Sequence, residues 1–297
     1  MEKQNRIAVV GGDPRQFYAA KELEKHGWRI SLFGTDLPEE IGEVTNVSGT
    51  LSEALTDAFA VLLPLPVTRD GKTVPCAGEK IPFAELLQLL PTGAALFAGR
   101  IPAEWKALAE ERMHPIVDYF SVESLQLRNA LVTAEGAIRL AMEALPVTLH
   151  GTRTAIVGYG RIGSLLAPRL TALGSRVTVF ARRDEVLARA EADRAEYVKL
   201  MGRGSESTLC GLSRDCRVLF NTVPYPLMDN VVLRALPRNC LLMELASAPG
   251  GFDPEAARSV GLRVLLAPGL PGRFYPESAG KIVAETVHSI LNASSDY

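Results

Sequence analysis

The sequence predicts an α/β protein with two doubly wound parallel-sheet domains separated by a cleft. Short apolar runs alternate with amphipathic helical segments along most of the chain, which is typical of parallel sheets covered by helices on both faces. A length of 297 residues suits two domains of ordinary size. A glycine-rich turn at residues 158–163 follows an apolar strand and precedes a helix, as in Rossmann-like nucleotide-binding folds. Both domains are therefore expected to be Rossmann-like.

The first domain is expected to span residues 1–130 and to carry the substrate and the chemistry. Its first helix is predicted to run from Pro14 to about His26, with Asp13 as the N-cap and proline at the first helical position. A further helix is predicted from Trp105 to about Met113. The apolar runs predicted as its strands are Arg6–Val10, Trp28–Phe33, Ala60–Leu63, Ala94–Phe97 and Ile116–Tyr119.

Residues 131–150 are predicted to form an interdomain helix and linker, with Thr133 as the N-cap of the helix. Residues 151–272 are expected to form the NAD(P)-binding Rossmann domain. Residues 273–297 are expected to form a C-terminal helix, capped by Ser278, that packs back toward the first domain. The predicted strands of the second domain are Thr154–Val157, Arg176–Phe180, Val218–Asn221, Cys240–Glu244 and Arg263–Leu266.

Composition and charge exclude several classes of protein. A net charge of −2 argues against a general binder of nucleic acids or membrane surfaces. No apolar run approaches the roughly 20 residues of a membrane span, and the N-terminus does not read as a signal peptide. A cytoplasmic protein is therefore expected. The four cysteines and four histidines are scattered, so neither a metal site nor a disulfide framework is expected.

The turn at residues 158–163 predicts a dinucleotide site. Gly158 allows the tight turn, Gly160 lets backbone N–H groups approach a pyrophosphate, and Gly163 lets the next helix pack closely. A strand, turn and helix without a ligand is the alternative. The tip of a neighbouring strand, Asn221 to Pro224, is expected beside the cofactor, unless it is an ordinary turn. The cofactor-binding residues predicted in this way are Gly158, Tyr159, Gly160, Arg161, Ile162, Gly163, Arg182, Arg183, Asn221, Thr222, Val223 and Pro224.

The residues after the second strand of this domain favour NADP over NAD. An NAD site usually has a carboxylate there for the ribose 2′-hydroxyl, but Arg182 and Arg183 follow the strand and Asp184 comes later. Arginines bind a 2′-phosphate through charge-assisted hydrogen bonds. NAD stays open as the alternative, since arginines also commonly lie at strand ends in solvent.

Substrate contacts are predicted at strand tips, where open α/β sheets bind ligands. Arg15 and Arg100 each follow a strand of the first domain, and Ser247 follows a strand of the second. The glycines of residues 269–272 are predicted to present N–H groups to an anion in a loop. Each segment would otherwise be a plain turn, or each arginine a surface residue. The candidate substrate-binding residues are Arg15, Arg100, Ser247, Gly269, Leu270, Pro271 and Gly272.

The chain resembles the family of dipicolinate synthase A subunits from spore-forming bacteria, nearly end to end. The general layout is also similar to that of two-domain hydroxyacid and alanine dehydrogenases. The resemblance rests on these blocks: Val10-Gly11-Gly12-Asp13-x-Arg15-Gln16, Thr133-x-Glu135-Gly136, Gly158-x-Gly160-Arg161-x-Gly163, Asn221-Thr222-x-Pro224, Leu245-Ala246-Ser247-x-Pro249-Gly250-Gly251-x-Asp253, Ala267-Pro268-Gly269-Leu270-Pro271-Gly272 and Ser278-Ala279-Gly280.

This resemblance implies NADP-dependent oxidation of a dihydrodipicolinate, formed from 4-hydroxy-tetrahydrodipicolinate, to pyridine-2,6-dicarboxylate. It further implies that the partner is a flavoprotein-like B subunit, and that the location is the mother-cell cytoplasm of a sporulating cell. No general acid or base is assigned from the residues, and Glu135 and Asp253 are the candidates. Self-association is expected only by analogy with similar dehydrogenases. Two alternatives stay open: a dehydrogenase for another 2-hydroxy or 2-amino acid, and a nucleotide-sensing subunit without chemistry.

Overall fold

A computed structural model describes residues 5–38, 46–200, 209 and 215–294. It divides the chain into two compact units. Unit 1 comprises Met1–Asn129 and Pro271–Tyr297, and unit 2 comprises Ala130–Leu270. Among the described helices, none is both long and apolar enough to span a bilayer.

The N-terminal part of unit 1 alternates strands with helices, and its elements end in a long helix that continues into unit 2. A 3₁₀ turn at Tyr119–Ser121 precedes that helix. The elements in chain order are β1 (Arg6–Val10), α1 (Pro14–Lys25), β2 (Arg29–Phe33), α2 (Leu51–Leu55), β3 (Ala60–Leu62), β4 (Thr73–Pro75), β5 (Lys80–Pro82), α3 (Phe83–Leu89), β6 (Ala95–Ala98), α4 (Ala103–Glu111), β7 (Ile116–Asp118) and α5 (Glu123–Ala144).

The main sheet of unit 1 is parallel and has the order β2-β1-β3-β6-β7. The strands β2 and β3 lie on opposite sides of β1, so the winding direction of the chain reverses between β1 and β3. Ligands of open α/β sheets bind outside the carboxyl ends of the strands at such a switch point. Residues 11–16 and 63–67 lie at that position in unit 1.

Unit 2 contains a second parallel sheet, and the chain ends in two helices. The elements are β8 (Arg153–Val157), α6 (Arg161–Ala172), β9 (Arg176–Ala181), α7 (Asp184–Ala192), β10 (Glu196–Lys199), β11 (Cys216–Asn221), α8 (Asn230–Ala235), β12 (Leu241–Glu244), α9 (Pro254–Ser259), β13 (Arg263–Leu266), α10 (Leu270–Phe274) and α11 (Pro276–Ser294). The described strands have the order β10-β9-β8-β11-β12-β13, and all pair in parallel. The switch point lies between β8 and β11, as in dinucleotide-binding sheets.

Apolar side chains cover both faces of the unit 1 sheet, and helices α1 and α11 pack together on one of them. Their approach depends on Gly280, because a Cβ there would collide with the carbonyl oxygen of Arg15 and lie 2.8 Å from Cβ of Tyr18. The block Ser278-Ala279-Gly280 therefore has a packing role within unit 1. The predicted class, α/β with two doubly wound parallel sheets, is confirmed.

Two predicted helix starts were wrong. Helix α5 begins at Glu123, so Thr133 lies in its interior, and α11 begins at Pro276, so Ser278 lies within its first turn. A threonine in a helix can hydrogen-bond to the backbone of the preceding turn and does not by itself mark a start. Residues 123–132 contain neither proline nor glycine, so nothing in that segment ends the helix earlier.

The strand prediction was correct for β1 and displaced by one or two residues at the ends of several other strands. It missed the edge strand β10 and the antiparallel pair β4–β5. Strand β10 has the sequence Glu-Tyr-Val-Lys and is mostly exposed, so it lacks the apolar run by which buried parallel strands are recognised.

Candidate functional site

The three glycines of the turn after β8 have different surroundings. Gly158 has φ +95°, and a Cβ there would collide with Oγ1 of Thr222. A Cβ on Gly163 would collide with the carbonyl oxygen of Gly158, so α6 packs directly on the turn. Around Gly160, in contrast, no described atom lies within 4 Å of the position that a Cβ would take. Neighbouring atoms therefore leave no room for a side chain at Gly158 or Gly163, whereas the turn is open at Gly160.

The N-terminus of α6 faces this open side with its backbone donors. Gly160 is the N-cap, and in the described structure no side chain caps the helix. Its first turn contains no acidic residue. The first N–H groups of a helix and its dipole favour an anion at this end. The residues present thus fit the pyrophosphate of a dinucleotide.

Tyr159 anchors the turn from within. Its hydroxyl donates a hydrogen bond of 2.6 Å to Oδ2 of Asp193, which follows α7. Burial and this bond to a carboxylate raise the pKa of Tyr159 above its ordinary value. The Tyr159 hydroxyl therefore stays protonated, and its hydrogen bond to Asp193 holds the glycine turn in place. Arg161 and Ile162 form the start of α6, with Arg161 exposed.

The tips of β9 and β11 lie on either side of β8. Arg182, directly after β9, places its guanidinium carbon 5.8 Å from the ring centroid of Tyr225. Arg183 instead pairs with Glu185, with 3.1 Å between Nη1 and Oε1. The structure thus distinguishes the two predicted arginines, because Arg182 lies against an aromatic ring and Arg183 beside a carboxylate. Sequence reasoning missed Tyr225, although it directly follows the predicted segment Asn221 to Pro224.

A buried polar cluster connects the loops that follow β11 and β12. Asn221 and Glu244 are register partners on these strands, and Nδ2 of Asn221 donates to Oε1 of Glu244 at 2.7 Å. The Glu244 carboxylate also accepts from the backbone N–H groups of Ala246 at 2.9 Å and Gly251 at 2.8 Å. Burial raises the pKa of Glu244, and these three hydrogen bonds oppose the rise.

This cluster fixes the predicted cofactor segment. Nδ2 of Asn221 also donates to the carbonyl oxygen of Val223 at 2.9 Å. Thr222 donates to the carbonyl oxygen of Val157 through both its N–H and its hydroxyl, each at 2.9 Å. The segment Asn221–Pro224 is therefore held against the end of β8 beside Gly158. The sequence did not reveal Glu244 as its anchor, and the available signal was an acidic residue ending a buried strand.

The two candidate proton carriers both have structural partners. The Asp253 carboxylate caps α9 by accepting from the backbone N–H groups of Glu255 at 2.9 Å and Ala256 at 3.3 Å. Glu135 lies on α5, with its Oε1 3.8 Å from Nε of Arg169, and half of its side chain is exposed. These contacts are those of a helix cap and a surface ion pair. A role in proton transfer stays a prediction for both.

In unit 1, Arg15 lies mostly buried in the first turn of α1, just beyond the tip of β1. Its Nε and Nη2 donate to the Asp13 carboxylate at 2.8 and 2.6 Å, and Nη2 also donates to the carbonyl oxygen of Leu65 at 2.5 Å. Burial lowers the pKa of Arg15, but the bond to Asp13 raises it, and the net shift is upward. A Cβ on Gly272 would lie 2.7 Å from Nε of Arg15. The structure thus brings two predicted substrate residues, Arg15 and Gly272, together.

The other predicted substrate residues lie in different parts of the chain: Arg100 follows β6, Ser247 lies in the loop after β12, and Leu270 and Pro271 lie in α10. Arg100 is exposed, and its guanidinium carbon lies 5.0 Å from the ring centroid of Phe120. Ser247 is an exposed loop residue of unit 2. The open glycine loop predicted for residues 269–272 was wrong, because helix α10 begins at Leu270, and Leu270 and Pro271 are buried. In the described ranges, no group of three or more His, Cys, Asp or Glu residues is placed to hold a metal ion.

Two family models match successive, partly overlapping segments of the chain. Residues 6–120 match the N-terminal domain of the A subunit of dipicolinate synthase. Residues 106–220 match the NAD-binding domain of the D-isomer specific 2-hydroxyacid dehydrogenases. The second match includes the glycine turn, which supports the binding of a nicotinamide cofactor by unit 2.

Relatives that match over nearly the whole chain are dipicolinate synthase A subunits. The chain is 31% identical to the dipicolinate synthase A subunit of Bacillus subtilis (strain 168), over 96% of this chain and 95% of that protein. It is 28% identical to the crystal structure of the dipicolinate synthase A subunit from Bacillus halodurans, with a TM-score of 0.84, covering 98% of this chain and 99% of the other. The crystal structure of the same protein from Bacillus subtilis gives a TM-score of 0.83 at 28% identity, covering 100% and 99%.

Proposed function

Since this chain belongs to the family of dipicolinate synthase A subunits, we propose that it oxidises a dihydrodipicolinate to pyridine-2,6-dicarboxylate with NADP as the hydride acceptor. The observation that carries the proposal is the turn after β8, which is closed at Gly158 and Gly163 and open at Gly160, beside the uncapped start of α6. Such a turn accepts a pyrophosphate. Family membership supplies the substrate class.

The proposed reaction consists of a dehydration and an oxidation. The precursor, 4-hydroxy-tetrahydrodipicolinate, loses water to give a dihydropyridine. The dihydropyridine then loses a hydride and a proton to become an aromatic ring, and the nicotinamide of the bound cofactor supplies the hydride acceptor. Because aromatisation favours this step, orientation of the ring carbon is the main contribution asked of the protein. Thr222, held on the end of β8, and the start of α6 provide that orientation on the cofactor side.

The preference for NADP is supported by the tip of β9. Ala181 ends the strand and Arg182 follows, where an NAD site usually carries a carboxylate. Arg183 has a neighbouring carboxylate in Glu185, whereas Arg182 contacts the ring of Tyr225. We therefore assign the 2′-phosphate to Arg182. NAD is the alternative cofactor.

The name of the relatives supports a partner, since it describes one component of a larger synthase. We propose that this partner is a flavoprotein-like B subunit, and that the location is the mother-cell cytoplasm of a sporulating bacterium.

A second function is favoured by a specific observation. Both candidate proton carriers, Asp253 and Glu135, have structural partners, as expected if the chain senses nucleotide and leaves chemistry to its partner.

A coupled assay with the full-length chain tests the proposal. Purified protein receives freshly generated 4-hydroxy-tetrahydrodipicolinate with NADP or NAD, with and without the B subunit, and dipicolinate is measured directly. The expected result is formation of dipicolinate by this chain alone, faster with NADP than with NAD. A parallel panel of 2-hydroxy and 2-amino acids, followed by NADP reduction, tests the broader dehydrogenase alternative.

The outcomes distinguish the candidate functions. Product only with the B subunit would make this chain part of a composite catalyst. Binding of NADP without product in any mixture would favour the nucleotide-sensing function. Turnover of a 2-hydroxy or 2-amino acid in place of the dipicolinate precursor would reassign the substrate.

A further inference from the structure

One buried amide in unit 1 has no hydrogen-bond partner for its nitrogen. Gln16 is the third residue of α1, and only 3% of its surface is exposed. Its backbone N–H donates to the carbonyl oxygen of Asp13 at 2.9 Å. Its side-chain Nε2, however, is buried and makes no hydrogen bond to any described residue.

An unpaired buried amide requires an explanation. The large majority of buried side-chain polar atoms in folded proteins have a partner, because leaving one unpaired forfeits its hydration without compensation. The amide of Gln16 is therefore costly in the free protein. Ligand-binding residues are a common exception, since their partner arrives with the ligand.

The position of Gln16 strengthens this interpretation. Gly12 has φ +87°, and a Cβ there would lie 2.6 Å from Cγ of Gln16 and 3.0 Å from Cγ of Pro64. Gly12 follows β1, and Pro64 follows β3. The Gln16 side chain thus lies at the switch point of the unit 1 sheet, where open α/β folds bind their ligands.

The neighbouring charges are already paired. Asp13 and Arg15 form an ion pair of 2.6 Å, and Arg15 also binds the carbonyl oxygen of Leu65. Nε and Nη2 of Arg15 are thus hydrogen-bonded to Asp13 and Leu65, whereas Nε2 of Gln16 is unpaired. Rotation about the last side-chain torsion of glutamine is only weakly restricted, so that the amide can turn its N–H₂ group toward a ligand.

We propose that Gln16 is a substrate-binding residue, whose amide nitrogen donates a hydrogen bond to a carboxylate oxygen of a small dicarboxylate held at the β1/β3 switch point. This inference rests on the proposed function for the substrate class. It assigns to unit 1 a recognition residue that carries no charge of its own. A hydrogen bond to a charged oxygen is stronger than one between neutral groups.

The test replaces Gln16 by leucine in the full-length chain and uses pyridine-2,6-dicarboxylate as the probe. Calorimetry is expected to show binding to Gln16→Leu that is about tenfold to a hundredfold weaker than to the unaltered protein. Urea unfolding without ligand is followed by tryptophan fluorescence, which reports on unit 1 because both tryptophans, Trp28 and Trp105, lie there. The unfolding midpoint is expected to be unchanged or higher, since leucine removes an unpaired polar group.

The matched control is Gln88→Leu, which alters an exposed glutamine on α3 and should leave both measurements unchanged. Binding by Gln16→Leu as tight as by the unaltered chain would overturn the role of Gln16 alone. A lowered unfolding midpoint would also overturn it, because it would show that the amide stabilises the free unit. Failure of the unaltered chain to bind the dicarboxylate would overturn the proposed function together with this inference.

Discussion

At the scale of single residues, Gly160 and Gly163 of the turn after β8 have different roles, so we expect their substitution to cause different defects. Gly160→Asp adds a Cβ that has no described atom within 4 Å of it. The carboxylate would then repel a pyrophosphate, since juxtaposed like charges cost several kcal/mol. We expect NADP binding to weaken by about a hundredfold or more, with an unchanged urea midpoint. NADP titration and urea unfolding measure both.

Gly163→Ala is the matched comparison, because its Cβ would collide with the carbonyl oxygen of Gly158. Overpacking of this kind typically costs about 1–3 kcal/mol. The midpoint of urea unfolding should therefore fall in this variant. Tight NADP binding by Gly160→Asp, or a stable Gly163→Ala, would contradict the division of roles.

Arg182 is expected to determine the preference for NADP over NAD. Arg182→Asp removes the cation assigned to the 2′-phosphate, and a charge-assisted hydrogen bond is worth about 1.5–3 kcal/mol. The KM for NADP should rise by about tenfold to a hundredfold, while the KM for NAD changes little. Steady-state kinetics with both nucleotides measure this difference, and Arg183→Asp serves as the control because Arg183 has its own carboxylate neighbour. An equal rise for both nucleotides would place the 2′-phosphate elsewhere.

The surroundings of His288 make the stability of unit 1 depend on pH. Nε1–H of Trp28 donates to its Nδ1 at 3.0 Å, and its ring stacks on His26 with 4.2 Å between centroids. Burial and the neighbouring His26 lower the pKa of His288 below its ordinary value. The folded state thus binds the proton less well than the unfolded state does. Stability from this group is present above the unfolded pKa of about 6.5 and is lost as the pH falls through the lowered folded pKa.

We therefore expect the urea midpoint of unit 1, followed by tryptophan fluorescence, to fall between about pH 7 and pH 5. In His288→Phe, which keeps a ring against His26 and removes the titration, the fall should be smaller. The exposed His150 lies in unit 2, so His150→Gln should keep the dependence of the unaltered chain. An unchanged slope in His288→Phe would refute the assignment.

At the scale of elements, Glu244 couples two strand tips. Its carboxylate accepts hydrogen bonds from Asn221, Ala246 and Gly251, so Glu244→Gln places an amide N–H₂ against at least one of these donors. An unpaired buried donor costs about 1–3 kcal/mol. We expect a lower urea midpoint by circular dichroism and weaker NADP binding, because Asn221 also positions the segment beside Gly158.

Glu255→Gln on the exposed surface of α9 is the control, since the Glu255 side chain is 83% exposed. It should change neither measurement. If Glu244→Gln bound NADP normally with a lowered midpoint, the cluster would support the fold without positioning the cofactor segment.

The elements also show how far sequence reasoning extends. Strand β1 and the glycine turn were recognisable because they depend on local patterns, an apolar run and glycines at fixed spacing. Strand β10 was missed because its Glu-Tyr-Val-Lys sequence gains its strand conformation from pairing with β9. Glu244 was missed for a similar reason, because its partners Asn221 and Gly251 meet it only after the strands have been placed side by side.

At the scale of the whole molecule, each unit has its own switch point with its own chemistry. Unit 2 places an open glycine turn and a helix N-terminus between β8 and β11, which suits a phosphate. Unit 1 places the paired Asp13 and Arg15 and the amide of Gln16 between β1 and β3. That arrangement offers a neutral amide donor to a carboxylate oxygen, whereas unit 2 offers the backbone N–H groups of a helix start to a phosphate.

The two units are therefore expected to respond to different ligands. In hydrogen exchange of the full-length chain, NADP should slow exchange of the backbone amides at residues 158–163 and near Thr222. Pyridine-2,6-dicarboxylate should slow exchange at residues 11–16, because a ligand at the β1/β3 switch point covers the start of α1. Amides of the β10 edge serve as an internal control. Protection by the dicarboxylate confined to unit 2 would contradict this division, and it would move the substrate to the loops that Glu244 holds.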